Sequence, residues 1–149
     1  MKQYSVILIG AGLRGKGYTN IMYNCSDKFK VVAVAEPEKS RRDYIKNKHG
    51  LSDDMCFTSY EELLSKPKMA DLAIIATMDN LHYLPTMKAI ELGYDIFMEK
   101  AAAPTEKECV DILLASEKKG VKVLVCHVLR YTPFFKKVKE LVMEGVVGK

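Results

Sequence analysis

Three glycines and one acid have the types and spacing to do chemistry. Gly10, Gly12 and Gly15 end a short apolar run, Tyr4-Ser-Val-Ile-Leu-Ile9, and a helical pattern opens directly behind them. In a G-x-G-x-x-G turn the first glycine makes a tight bend, the second lets backbone approach a pyrophosphate, and the third lets helix pack on strand. A helix start there adds unpaired N–H groups and the positive end of a dipole, with Ala11, Leu13 and Arg14 completing the turn. Alone, the pattern fits a plain glycine-rich turn as well as it fits a cofactor site. Glu36 supports it independently, because it stands 21 residues after Gly15 at the end of the next β-branched run. A carboxylate there accepts hydrogen bonds from the adenosine ribose and repels a 2′-phosphate, favouring NAD over NADP. The plain alternative is a surface glutamate ahead of Pro37. Arg41 and Arg42 blur the preference, since either can reach a 2′-phosphate or stack on adenine, although a solvated helix start also explains both.

Two other readings use the same residues. Gly10 to Gly17 nearly matches a P-loop, but Gly17 stands where the Mg²⁺-binding hydroxyl belongs. A methyltransferase also places glycines after its first strand and an acid after its second to hold adenosine. Metal chemistry is not expected: Cys25, Cys56, Cys109 and Cys126 are widely spaced among apolar neighbours and read as reduced core thiols, and His49, His82 and His127 do not supply ligand spacings.

The elements that must position these residues alternate. With 149 residues, 48% hydrophobic and 28% charged, the chain is one globular domain's worth of sequence. Its net charge of +4 is scattered on presumed helix faces, which argues against a nucleic-acid partner. No apolar run approaches the ~18 residues of a membrane span and the N-terminus lacks the pattern of a signal peptide, so a cytoplasmic protein is expected. The periodicity predicts a helix from Leu13 to Cys25 with Leu13, Ile21, Met22 and Cys25 on one face, and a strand from Phe29 to Ala35. A helix from Glu38 to His49 follows, closed by Gly50, and then a strand from Met55 to Thr58. Ser59 and Glu62 form a capping box for a helix from Tyr60 to Ser65 that Pro67 stops. A buried strand is expected from Asp71 to Thr77, a helix from Asn80 to Leu92, and a strand from Tyr94 to Met98. Thr105 and Glu108 cap a helix through Val110, Leu113 and Leu114, Val121 to Cys126 is the sixth strand, and Thr132 with Pro133 opens a last helix through Leu141 and Val142. This order predicts an α/β protein: a Rossmann-type doubly wound parallel sheet in three layers, strand order 3-2-1-4-5-6, with the glycine turn at the switch point.

Along its whole length the sequence resembles the Gfo/Idh/MocA dehydrogenases. The resemblance rests on Gly10-Ala-Gly12, Ala35-Glu36-Pro37, Ala76-Thr77, Asn80-Leu-His82, Ala89-Ile-Glu-Leu-Gly93, Met98-Glu-Lys100 and the tail from His127-Val-Leu-Arg-Tyr131 to Gly148. It decides against the methyltransferase and implies a nicotinamide-dependent oxidoreductase acting on sugars, polyols and related hydroxy compounds. Glu99-Lys100 matches the start of the family's Glu-Lys-Pro motif, which implies that Lys100 sits at the nicotinamide and assists proton transfer, work that suits a desolvated lysine. The resemblance also implies that Thr77, Asn80, His82, Glu99 and Arg130 line the cofactor cleft; on their own, Thr77, Asn80 and His82 serve equally as helix caps or packing groups. The chain departs from the family at Ala101-Ala-Ala103, where proline is usual. A cis bond before alanine costs on the order of 3 kcal/mol, so a different aim for Lys100 is expected.

Family members continue into a second domain that supplies substrate contacts, a catalytic Asp and His motif and most oligomer contacts. The resemblance therefore implies that residues 1–149 are the dinucleotide-binding domain of a homo-oligomeric enzyme, binding NAD with little turnover by themselves. A non-catalytic dinucleotide-binding or sensing module is the alternative.

Overall fold

The computed structural model describes residues 2–146 and 148. Six strands form one parallel sheet in the order β3-β2-β1-β4-β5-β6: β1 Tyr4–Ile9, β2 Phe29–Ala35, β3 Cys56–Phe57, β4 Leu72–Ile75, β5 Asp95–Glu99 and β6 Val123–Cys126. The fold class and strand order expected from the sequence are those observed. Central β1 pairs with β2 and β4, so Val6, Ile7, Leu8 and Ile9 are fully buried, apolar on both faces as a covered parallel strand must be.

Helices cover both faces, giving three layers. On one face α1 Leu13–Asn24 and α2 Lys39–His49 pack over Val6, Leu8, Val34 and Ile74 through Tyr18, Met22 and Ile45. On the other, α3 Tyr60–Leu64, α4 Tyr83–Glu91 and α5 Glu106–Lys119 close over Ile7, Ile9, Ala73, Ile75 and Ile96 through Leu63, Ala89, Ile90 and Ile112. The last helix, α6 Pro133–Met143, leans on the short turn Val128–Tyr131 and buries none of its residues. None of these helices is long and apolar enough to cross a membrane.

Several local expectations are corrected. The expected helix from Asn80 breaks into a turn at Asp79–Leu81 followed by α4. Pro85 is the cause: it has no N–H to give the Leu81 carbonyl, and the Thr77 hydroxyl donates to that carbonyl instead at 3.2 Å. On α1 the inward face carries Gly15, Tyr18, Thr19 and Met22, while Leu13 and Ile21 point to solvent. On α5 the inward residues are Ile112 and Ser116, and Val110, Leu113 and Leu114 are exposed. Ser59 accepts the Glu62 amide, but the Glu62 side chain answers to the Thr58 amide, one residue before the cap. Thr105 and Glu108 make the reciprocal box in full. Thr132 turns its hydroxyl back to the Leu129 carbonyl and caps nothing. Cys25, Cys56 and Cys126 are half-buried thiols, whereas Cys109 is exposed.

Candidate functional site

The carboxyl ends of β1, β2, β4, β5 and β6 share one edge of the sheet, and β1 stands between β2 and β4 where the strand order reverses. Open α/β sheets bind ligands at this crevice. The three glycines have three different physical reasons to be there. Gly10 has φ +89°, and a Cβ on it would lie 2.7 Å from the Ala76 carbonyl group, so a side chain would push the turn away from β4. Gly15 lies so close under the turn that a Cβ would stand 2.1 Å from the Gly10 carbonyl oxygen. Gly12 faces open space, with nothing within 4 Å of a Cβ.

Behind Gly12, α1 begins with no side-chain cap and no acidic residue in its first turn. The leading N–H groups of a helix have no intrahelical acceptor, so this end suits an anion laid against Gly12, Leu13 and Arg14. Glu36 is buried beside it. One carboxylate oxygen accepts the Ala11 amide at 2.6 Å and the other accepts the Glu38 amide at 3.1 Å. A carboxylate has about four acceptor positions, so both oxygens keep capacity for further donors such as ribose hydroxyls. Arg41 is paired with Glu38 at 2.5 Å, and Arg42 Nη1 donates to the Glu36 and Pro37 carbonyls at 2.5 and 3.1 Å.

At the other end of the crevice Glu99, buried at the close of β5, collects donors. The Tyr18 hydroxyl bonds to it, Arg14 Nε stands 3.7 Å away, and the Lys100 amide donates to its second oxygen at 3.2 Å. The Tyr18 hydroxyl oxygen also lies 3.1 Å from Cys126 Sγ, and its ring meets Phe97 edge-on at 4.9 Å. Burial, and then the bonds to Cys126 and Glu99, push the Tyr18 phenol far above its ordinary 10.0. Lys100 is exposed at the edge, and the Lys100–Ala101 peptide bond is cis, contrary to the expectation drawn from the cost of a cis bond before alanine.

His82 is fully buried between two loops: Nδ1 lies 2.7 Å from the Ala101 carbonyl and Nε2 lies 3.1 Å from the Thr77 carbonyl. Both neighbours are acceptors and a neutral imidazole carries one N–H, so the ring donates to one of these carbonyls and only abuts the other. Packed between the segment after Lys100 and the segment after β4, it offers nothing to a ligand. Asn80 is exposed on the turn at Asp79–Leu81. Arg130 is exposed on the turn at Val128–Tyr131, and its guanidinium has no hydrogen bond or ion pair among the described residues. The structure thus brings Gly10 to Gly15 and Glu36 into one cluster, and Arg14, Glu99 and Lys100 into another. From the sequence, Tyr18 and Glu38 carry no site role and Cys126 reads only as a core thiol. Tyr18 alone had a signal, sitting one helical step after Gly15 on the face that must meet the sheet. Among the described residues no group of His, Cys, Asp and Glu could hold a metal ion.

The fold and this edge define a dinucleotide-binding domain of Rossmann type. The Gfo/Idh/MocA family model, described as an oxidoreductase family with an NAD-binding Rossmann fold, matches residues 4–127, and the chain belongs to that family. It is 28% identical to the 2,7-anhydro-N-acetylneuraminate hydratase of Escherichia coli K12 across 95% of this chain and 36% of that protein. It is also 28% identical to the scyllo-inositol 2-dehydrogenase (NADP(+)) IolW of Bacillus subtilis, across 93% of this chain and 37% of that one. In fold it is similar to the myo-inositol 2-dehydrogenase of Lactobacillus plantarum, with a TM-score of 0.86, 21% identity, and coverage of 99% of this chain and 43% of that one. The chain thus spans well under half the length of these relatives.

Proposed function

We propose that this chain is the dinucleotide-binding part of an oxidoreductase that moves a hydride between nicotinamide and a CH–OH group of a sugar, polyol or related hydroxy compound. One observation carries the reading: an uncapped helix start facing open space at Gly12, with the Glu36 carboxylate fixed beside it by the Ala11 amide. In this reading the α1 N-terminus and Gly12 hold the pyrophosphate, and Glu36 holds the adenosine ribose and disfavours a 2′-phosphate. Thr77, Asn80, Glu99 and Arg130 stand toward the nicotinamide end, His82 shapes the loops that carry them, and Lys100 Nζ takes the alcohol proton on oxidation and returns it on reduction. The bound nicotinamide supplies the hydride acceptor or donor. Membership of an NAD-binding oxidoreductase family and the sugar and polyol dehydrogenases among the relatives support the substrate class. The free thiols suit a reducing, cytoplasmic setting, and the apolar residues exposed on α5 and α6 suit contacts within a homo-oligomer.

The test is a titration of the 149-residue chain with NADH, NADPH and S-adenosylmethionine, read by nicotinamide fluorescence and by calorimetry. NADH is expected to bind, more tightly than NADPH, and S-adenosylmethionine is expected not to bind. The reverse order of the two nicotinamides would remove the role given to Glu36, and selective binding of S-adenosylmethionine would remove the whole reading. A second reaction class, hydration, is favoured by the hydratase among the relatives. Hydration consumes no redox equivalents, so net NADH formation by the whole protein on a polyol separates the two.

A further inference from the structure

At the turn from β2 into α2, every side chain suited to receiving a phosphate is already held by an acceptor of the protein itself. The Arg42 guanidinium is bound to the Glu36 and Pro37 carbonyls at 2.5 and 3.1 Å. The Ser40 hydroxyl donates to one oxygen of Glu38, and Arg41 Nε lies 2.5 Å from the other. Glu38 occupies the N-cap position of α2 but makes no capping bond with its side chain. Its carboxylate is turned to Ser40 and Arg41, and its own amide donates to Glu36 at 3.1 Å. That bond places Glu38 immediately beside the acid assigned to the ribose.

We propose that Glu38 is a second determinant of cofactor choice, one that excludes NADP(H) by sequestering Ser40 and Arg41 and by adding a negative charge where a 2′-phosphate would sit. The inference rests on the dinucleotide reading above and extends it from the acid at the end of β2 to the turn that follows. The Glu38 side chain is about half exposed, at 49%, so replacing it leaves the core untouched. In E38Q the shape is kept, the charge goes, and the Arg41 guanidinium is free to meet a phosphate bidentately.

The experiment measures NADH and NADPH dissociation constants for the wild-type chain, E38Q, R41A and the double variant E38Q/R41A, by nicotinamide fluorescence at fixed low ionic strength. E38Q is expected to bind NADPH about tenfold more tightly than wild type, the scale of one unfavourable charge contact near a protein surface, with NADH affinity unchanged. The double variant is expected to lose most of that gain, because the released guanidinium is what receives the phosphate. Raising the salt concentration should shrink the gain. An E38Q chain that binds NADH as wild type does, with NADPH affinity unmoved, overturns the role of Glu38 alone. A wild-type chain that binds neither dinucleotide overturns the dinucleotide reading and this inference together.

Discussion

The Glu36 carboxylate accepts the Ala11 amide at 2.6 Å, so the end of β2 fixes the turn that follows β1. Ala11 is fully buried, and without this acceptor its N–H faces no replacement from solvent. E36A is therefore expected to destabilise the chain by about 1–3 kcal/mol, the cost of a buried donor left unpaired, and to abolish NADH binding. E36Q keeps an oxygen for Ala11 but sets an amide group against the Glu38 N–H, and its stability should fall between the two. Urea unfolding with parallel NADH titration checks both parts. An E36A chain as stable as wild type would remove the anchoring role.

Gly12 separates binding from fold. A Cβ at Gly12 meets open space, and the residue has φ −67° and ψ −164°, a backbone open to any L residue. G12V should melt close to wild type yet fail to bind NADH, because its side chain fills the space left for the pyrophosphate. Unchanged NADH affinity in G12V would refute that placement. G15A should lower both stability and affinity: its Cβ would stand 2.1 Å from the Gly10 carbonyl oxygen, and displacing α1 is expected to cost about 1–3 kcal/mol of stability. Because α1 carries the pyrophosphate site, NADH binding should weaken with it. Thermal melts and NADH titrations of the two variants distinguish these outcomes.

The order of elements was legible because β-branched runs such as Val31-Val-Ala-Val34 alternate with helical stretches that end at glycines such as Gly50, Gly93 and Gly120. Left-handed φ values at those three glycines explain why the punctuation was reliable. The faces of the helices were harder to read. Periodicity tells which residues share a face, not what covers it, so the stripe at Val110, Leu113 and Leu114 was visible while its exposure was not. His82 shows the same limit within the site. Its partners are backbone carbonyls 5 and 19 residues away, and no local pattern encodes such contacts. The break before α4 was written in the sequence at Pro85, whose missing N–H is a local property.

The Tyr18–Glu99 hydrogen bond should be visible in the alkaline limb of stability. Burial and the bonds to Cys126 and Glu99 hold the folded phenol above its ordinary 10.0, so the unfolded chain loses this proton first as pH rises. The contribution is full below about pH 10 and is lost progressively above it. Y18F should flatten that decline. At neutral pH it should cost about 1 kcal/mol, because Glu99 loses a donor. Urea midpoints of wild type and Y18F from pH 7 to 11 check this, and parallel curves would place the Tyr18 proton elsewhere.

Asp71, at the opposite end of the sheet, should contribute to the acid limb. Its carboxylate accepts the Ser5 amide at 2.9 Å, the Ser5 hydroxyl at 2.8 Å and Lys2 Nζ at 3.0 Å, joining the start of β1 to the approach to β4. The Ser5 amide first, then the Ser5 hydroxyl and Lys2, hold the acid well below its ordinary 3.8. A carboxylate depressed in the folded state binds its proton first in the unfolded chain. Its contribution is therefore full above about pH 4 and is lost as pH falls through the lower folded value. D71N keeps one acceptor for Ser5 but has no charge to titrate. It should lower stability at pH 7 and lose less than wild type between pH 4 and pH 2, so that the two curves converge in acid. Chemical denaturation across that range checks this, and a wild-type acid limb no steeper than that of D71N would show that Asp71 does not contribute to it.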